Sequence, residues 1–367
     1  MNIFQVQQKF NTQAKCIRHL EKERWGNKPI CPHCESSNVT PRKSRRFFYH
    51  CNKCKKDFTV QFGTIFEASK LKLPKWFMLI AMMLNARKGI SAKEISRQIG
   101  LTYKTAWYTA MRVRCAMIDQ IPLLEGILEM DEAYFGGKPR KRNFKANIGT
   151  LYVKPKRGRG TKNIPVVGIV EREGQKRVVT EIIGNDEVNS KTMLNMLRKY
   201  VNTEKAIMMT DEAKFYNKFD NIIQHLVIKH KEKYAEGIIH TNTIEGFWSI
   251  IKNGIRGEYH VLSRKYLPFY LAEFSYKYNR RFKQDEAFDE TIKHATEDEK
   301  VMVNYKPKIS PDKIAYGKKV GEVTPPKPKP KRKYRKRKRK RTLRKKTKFR
   351  RIPKRKKKMK VKRKRAA

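Results

Sequence analysis

Two sets of residues in this chain have the types and the spacing to do chemistry. The first is Cys31-x2-Cys34, then sixteen residues, then Cys51-x2-Cys54, carried in ICPHC and HCNKC. Two CxxC knuckles at this separation can present four thiolates tetrahedrally to a structural Zn²⁺, as a zinc ribbon does. A redox motif needs only one such pair, and the plainer alternative is a set of unpaired core cysteines. His33 and His50 could substitute as ligands, but beside a full set of cysteines they read as neighbours. Cys16 and Cys115 stand alone and read as structural thiols.

The second set is acidic. Asp131 ends the run GILEMD before EAYFGG, and Asp211 ends AIMMTD before EA, so each carboxylate sits at the rim of a β-type run. The two approach each other if their strands are neighbours in one sheet. Glu132 and Glu212, one residue later, point to the opposite side if the pleat continues. A third carboxylate comes 34 positions after Asp211, in HTNTIEGFWSIIK. There Asn242, Glu245, Ser249 and Lys252 share one helical face, while Ile244, Phe247, Trp248 and Ile251 form an apolar flank. Three converging carboxylates can hold two Mg²⁺ (or Mn²⁺) ions for in-line displacement at a phosphodiester. Lys252, two turns beyond Glu245, is placed to meet a DNA phosphate. The same residues also suit plainer roles: Asp131 and Asp211 as turn aspartates, and Glu245 as the partner of Asn242 in a capping box.

The elements that must position these residues fall into four segments. Residues 1–70 hold the cysteine pairs. Residues 71–122 read as helical, with Leu73-Pro74 as a start signal and Gly89 and Gly100 as punctuation. Within them, SAKEISRQIGLTYKTAWYTAMRVRC has the layout of a helix-turn-helix: Ile95 and Ile99 on one face, Gly100 at the turn, Leu101 as a plug, and a second helix opening at Thr102 or Lys104. Tyr103, Lys104, Thr105, Tyr108 and Arg112 are then the expected DNA-facing residues. Without the charge around it, the same pattern is an ordinary helical hairpin. Residues 123–305 alternate short β-type runs with helical stretches and predict an α/β domain. Residues 306–367 turn to Pro, Lys and Arg, and are expected to be disordered.

Composition sets the class of partner. The chain has 367 residues with 88 Lys or Arg against 34 Asp or Glu, a net charge of +54. Between Pro325 and Ala367 lie 28 of those cations and no acid, which leaves a surplus of 26 on the rest. Such a surplus points to a polyanion through counterion release. The longest apolar run, Trp76 to Leu84, is half of the roughly 18 residues a membrane span needs. No secretory signal pattern opens the sequence, so an intracellular, DNA-associated location is expected, cytoplasm or nucleoid in a prokaryote and nucleus in a eukaryotic host.

Taken together, the four-cysteine ribbon, the helix-turn-helix, MDEAYFGGK, the strand ending in TDEA, and HTNTIEGFWSIIKNGIRGEYHVLSRKYLPFYLAEFSYKYNRR resemble the ISXO2-like insertion-sequence transposases, relatives of the Merlin elements. The resemblance spans roughly residues 10–290. It implies an RNase H-like core with a DDE-type metal site, terminal inverted repeats and target DNA as partners, and a cut-and-join reaction by at least two protomers. By motif, the first two catalytic aspartates are Asp131 and Asp211. The third position falls in HTNTIEG, where Glu245 is favoured by its spacing from Asp211 and from Lys252, and Asn242 is the alternative. Two features depart from the family pattern or extend it. One is the basic stretch between Gly137 and Ile164, a candidate DNA-backbone contact or a solvated insertion. The other is the polycationic tail, which suits a nonspecific DNA arm, a nuclear-import signal or a ribosomal-protein-like extension. The rival functional readings are a noncatalytic, domesticated or decayed, DNA-binding protein and an RNA-binding protein.

Overall fold

The computed structural model describes residues 1–26, 28–119, 121–136, 163–228, 240–260 and 262–297. The basic stretch 138–162 and the tail from Lys306 onward lie outside the described residues.

The chain opens with helices α1 (Ile3–Lys9) and α2 (Gln13–Trp25), each started by a side-chain cap, Asn2 on the amide of Gln5 and Thr12 on that of Lys15. Three short strands follow, β1 (Val39–Pro41), β2 (Tyr49–Cys51) and β3 (Asp57–Phe58), paired antiparallel in that order. Helix α3 (Leu73–Asn85) begins at Leu73-Pro74, where proline suits the first turn because its missing N–H is not needed there. Its apolar run is buried from Trp76 to Met83 apart from Met78. Helices α4 (Ala92–Ile99) and α5 (Tyr103–Ala116) make the helix-turn-helix. Ser91 caps α4 on the amide of Glu94, and Thr102 caps α5 on that of Thr105. Between them Gly100 takes φ +65°, a left-handed turn open to glycine, and the Leu101 amide bonds back to the Ser96 carbonyl at 3.0 Å.

The larger sheet is built from β4 (Leu124–Phe135), β5 (Ile164–Glu171), β6 (Val178–Ile182), β7 (Val201–Thr210) and β8 (Gln224–Val227), with α6 (Ser190–Tyr200) between β6 and β7. Its order is β6-β5-β4-β7-β8. The first three strands in sequence form an antiparallel meander, and α6 crosses over so that β7 and then β8 add parallel to β4 on its other side. This is the RNase H-like arrangement. Leu128 and Met130 of β4 face a core shared with α6, while Ala133 and Phe135 face a second core on the opposite side. β5, covered on both faces, is buried at every residue, as a central strand between two layers must be.

That second core is closed by α7 (Asn242–Gly254) and α8 (Leu267–Asn279). Ile244, Phe247, Trp248 and Ile251 of α7 are buried, and Asn242, Glu245, Ser249 and Lys252 are exposed, as the apolar spacing requires. Gly168 of β5 permits the close seat of α7: a β-carbon there would lie 2.7 Å from the indole of Trp248. α8 is buried on all sides from Leu267 to Tyr276 because it serves two cores at once. Leu271 and Phe274 join the sheet core, whereas Phe269, Tyr270 and Tyr276 join the core of the N-terminal helices. The last helix, α9 (Gln284–Glu297), packs on α2, α3 and α5.

Candidate functional site

The cysteine knuckles are two copies of one turn. In the first, the Glu35 amide bonds to the Cys31 carbonyl at 2.8 Å and the Cys31 amide to the Ser36 carbonyl at 3.0 Å. In the second, Lys55 and Cys51 make the corresponding bonds to Cys51 and Lys56, at 2.9 and 3.0 Å. Glu35 and Lys55 both take a left-handed φ, 58° and 59°, which folds each chain back beneath its cysteines. The four Sγ atoms lie within 4.8 Å of one another, with Cys34 to Cys51 at 3.5 Å and Cys31 to Cys54 at 3.7 Å. Tetrahedral Zn–S bonds of about 2.3 Å place sulfurs roughly 3.8 Å apart, so the set fits zinc. The Cys54 amide donating to Cys51 Sγ pulls that thiol down to about 6, which favours the thiolate a metal needs. The zinc is structural, and no protein side chain beyond the four thiolates is required to complete it.

The carboxylates gather on the larger sheet. The parallel register pairs Glu129 with Met209, which puts Asp131 and Asp211, two residues on, side by side. Asp211 follows the last residue of β7, but Asp131 is not at a strand rim as the sequence suggested: β4 continues to Phe135, held by its antiparallel pairing with β5, where Asp131 lies opposite Gly168. Burial pushes the Asp131 carboxyl up to about 6; the Asp211 and Glu245 carboxylates add to the rise, and the Glu132 amide and Lys252 oppose it. Asp211, Glu245 and Lys252 thus each lie within electrostatic reach of Asp131. Without a bound cation, the raised Asp131 stabilises the fold most below its ordinary value of 3.8 and loses that contribution as pH rises through about 6. Asp211 also performs the plainer role, since its Oδ1 accepts the Ala213 amide at 3.1 Å and shapes the turn after β7. The capping-box role of Glu245 is not realised. The residue before α7 is Thr241, Asn242 is already inside the helix, and the Thr241 hydroxyl approaches Glu245 Oε1 at 3.5 Å. Among the described residues the cysteines form the one group of three or more metal-binding side chains drawn this tightly together, and the carboxylates stand further apart.

Glu132 lies on the other face, where Tyr216 donates to its Oε2 at 3.1 Å. Burial and the Asp131 and Asp211 charges push it up to about 7, against the pull of that hydrogen bond.

On α5 the first turn is open: Tyr103 is 58% exposed, and Lys104 and Thr105 are exposed beside it. Tyr108 is half-buried. Arg112 corrects the expectation made for it. It is 6% exposed, its guanidinium donates to the Glu67 carbonyl at 2.7 Å and lies over the Trp76 ring, and it faces the helical core instead of solvent. Nine residues after Tyr103, the helix has turned two and a half times, which brings position 112 round to the packed side.

A family model described as the ISXO2-like transposase domain matches residues 123–279, and one described as the transposase zinc-ribbon domain matches residues 11–57. The chain carries an ISXO2-like transposase domain behind a transposase zinc ribbon. It is 27% identical, over 274 residues covering 72% of this chain and 90% of the relative, to an uncharacterized protein in transposable element ISH50 of Halobacterium salinarum. Among solved structures it is similar to the Mos1 strand transfer complex at 14% identity and a TM-score of 0.27, covering 60% of this chain and 75% of that one. A Mos1 paired-end complex with left transposon end gives 13% and 0.26 over 61% and 80%. Both likenesses are too distant to bear on the fold.

In this transposase three side chains near the carboxylates escaped the sequence reading. Glu129 shares a strand face with Asp131, two residues away, and that period alone was a usable signal. Arg172 and His240, which meet Glu129, had none, because both lie outside regular elements and are joined only by the tertiary fold. None of the described helices is long and apolar enough to cross a membrane.

Proposed function

We propose that this transposase binds the terminal inverted repeats of its element with the zinc ribbon and the first turn of α5, and cuts and joins DNA strands at Asp131, Asp211 and Glu245. The observation that carries this reading is the convergence of β4, β7 and α7: Asp131 within β4 beside Asp211 at the end of β7, and a helix that brings a third carboxylate within reach of Asp131. The working division is ribbon 1–70, helix-turn-helix 71–122, catalytic domain 123–305 and basic tail 306–367.

The donor set is all carboxylate oxygen, which suits Mg²⁺ or Mn²⁺. Such a pair, when bound, supplies an activated water and a charge sink for the leaving oxygen. The chain's own residues do the rest: the aspartates and Glu245 hold the cations, and Lys252 meets a phosphate of the DNA. Tyr103, Lys104 and Thr105 contact the duplex. The freed 3′-OH then attacks target DNA in the same in-line geometry, with no covalent protein intermediate. Joining two ends calls for at least two protomers.

The test is strand cleavage with Mg²⁺ or Mn²⁺ on DNA carrying the element's repeats. Wild type is expected to nick at the repeat ends; Asp211→Ala and Glu245→Ala are expected to lose at least about a hundredfold in rate while binding the ends unchanged. Binding without cleavage by the wild type, with paired ends assembled, would instead support a noncatalytic DNA-binding protein. An Asn242→Ala variant that is dead beside an active Glu245→Ala would move the third position to Asn242.

The raised Asp131 makes metal binding pH-dependent. Protons compete for the carboxylate below about pH 6, so Mg²⁺ added without DNA is expected to raise the melting temperature at pH 8 and leave it unchanged at pH 5. Equal shifts at both pH values would contradict a site that includes Asp131.

A further inference from the structure

Two residues before Asp131, and on the same face of β4, Glu129 is fully buried. Its Oε2 accepts the backbone amide of Ile244 at 2.8 Å, and its Oε1 is ion-paired with Arg172, which follows the last residue of β5. Arg172 is held in turn by its own amide, bonded to the Ile127 carbonyl at 3.0 Å. Its guanidinium reaches onward to His240, donating to the carbonyl oxygen and lying 2.8 Å from Nδ1. The Asn242 amide also approaches that Nδ1, at 3.4 Å. Glu129 Oε1 lies 3.4 Å from the same nitrogen.

These contacts meet at one place, the start of α7. A helix leaves its first amides without internal partners, and here Thr241 offers no side-chain cap. The amide of Ile244 is satisfied instead by a buried carboxylate from the sheet, with a negative charge at the positive end of the helix dipole. The next residue is Glu245. We propose that Glu129, Arg172 and His240 are positioning residues that lock the first turn of α7 to β4 and β5, so that Glu245 is held facing Asp131. The inference rests on Glu245 being the third carboxylate of the proposed site. A buried ion pair is a poor way to add stability, because apolar side chains of like volume do as well, whereas it fixes orientation through the directions of its hydrogen bonds. This clamp ties together the strand that carries one proposed ligand and the helix that carries another.

The experiment compares wild type, Glu129→Gln, Glu129→Ala, Arg172→Lys and Glu245→Ala in two assays on the full chain. In end cleavage, Glu129→Gln and Arg172→Lys are expected to lose about 10- to 100-fold in rate and to need more Mn²⁺ for half-maximal cleavage, with affinity for the repeat ends within about twofold of wild type. Amide hydrogen exchange, which needs no catalysis, is expected to show the peptide over residues 241–247 losing protection in Glu129→Ala while β4 and β7 keep theirs. Should Glu129→Ala fail to fold, Glu129→Gln and Arg172→Lys carry both readouts. Wild-type cleavage, metal requirement and exchange in Glu129→Gln and Arg172→Lys, beside a dead Glu245→Ala, would overturn the clamp and leave the metal site standing. Full cleavage by Glu245→Ala would overturn the premise that Glu245 is a ligand, and with it the positioning role.

Discussion

Removing zinc from the ribbon is expected to unfold it while leaving the rest of the chain folded. The strands of the ribbon are two or three residues long, and its own apolar cluster centres on Cys31, Cys51 and Phe58, two of which are themselves ligands. So small a core cannot offset the entropy of ordering its loops, and the metal must supply the difference. Structural zinc contributes on the order of 10 kcal/mol in small zinc-dependent units, more than enough to decide between folded and unfolded. Limited proteolysis of chelator-treated protein, or of Cys51→Ser, is expected to cut within residues 27–62 and spare α3 to α9. The ribbon's ties to α2, where Arg24 donates to the carbonyls of Val60 and Phe62 and Tyr49 donates to Glu21, lie at its edge and do not replace the thiolates. Zinc must also be lost as the pH falls, since each ligand needs to shed its proton. An unchanged digestion pattern after zinc removal would show that the cysteines are ordinary core residues.

Glu273→Ala is expected to cost roughly 3–5 kcal/mol, the usual result of stranding buried charges. Glu273 is fully buried in α8 between two cations, Arg114 of α5 at 2.7 Å and Lys277 one turn on at 2.8 Å, themselves 2% and 8% exposed. Burial alone would raise its pKa, but Lys277 and Arg114 hold it below its ordinary value of 4.5. Its contribution is therefore complete above pH 4.5 and is lost as the pH falls through the lower, folded value. The same cluster joins the helix-turn-helix to the sheet side: Tyr259 donates to Glu273 and accepts the Ile90 amide at 3.2 Å, and Glu258 accepts the Ser91 amide at 3.3 Å. Denaturant melts are expected to show the loss in full for Glu273→Ala and less of it for Glu273→Gln, which keeps the shape and an acceptor. A change under about 0.5 kcal/mol, typical of a surface position, would contradict this account of the interface.

Much of this was legible in the sequence because local rules and tertiary structure agreed. The CxxC spacing, the caps Ser91 and Thr102, Gly100 and Leu73-Pro74 each specify a local geometry that the fold keeps. Helix α7 followed from the spacing of Ile244, Phe247, Trp248 and Ile251, and the end of β7 before Asp211 from a β-type run that stops at a turn, whereas β4 runs on past Asp131 to Phe135 because β5 pairs with it through that end. What was not legible depended on partners far away in the chain. α8 shows no apolar stripe because it is buried on every side, so periodicity could not reveal that it serves two cores. Arg112 reads as a surface cation by type, and only the Glu67 carbonyl and the Trp76 ring, on separate segments, explain its burial. Glu129 looked like one more acid in a strand until Arg172 and the start of α7 surrounded it.

The most direct test of the metal site exchanges a proposed ligand for a softer one. Asp211→Cys replaces an oxygen with a thiolate, which Mg²⁺ binds poorly and Mn²⁺ tolerates better. End cleavage by Asp211→Cys is expected to be lost in Mg²⁺ and partly restored in Mn²⁺, while Asp211→Ala stays inactive in both. Equal activity of Asp211→Cys in the two metals, or rescue of Asp211→Ala by Mn²⁺ to the same degree, would mean that Asp211 does not hold a metal ion.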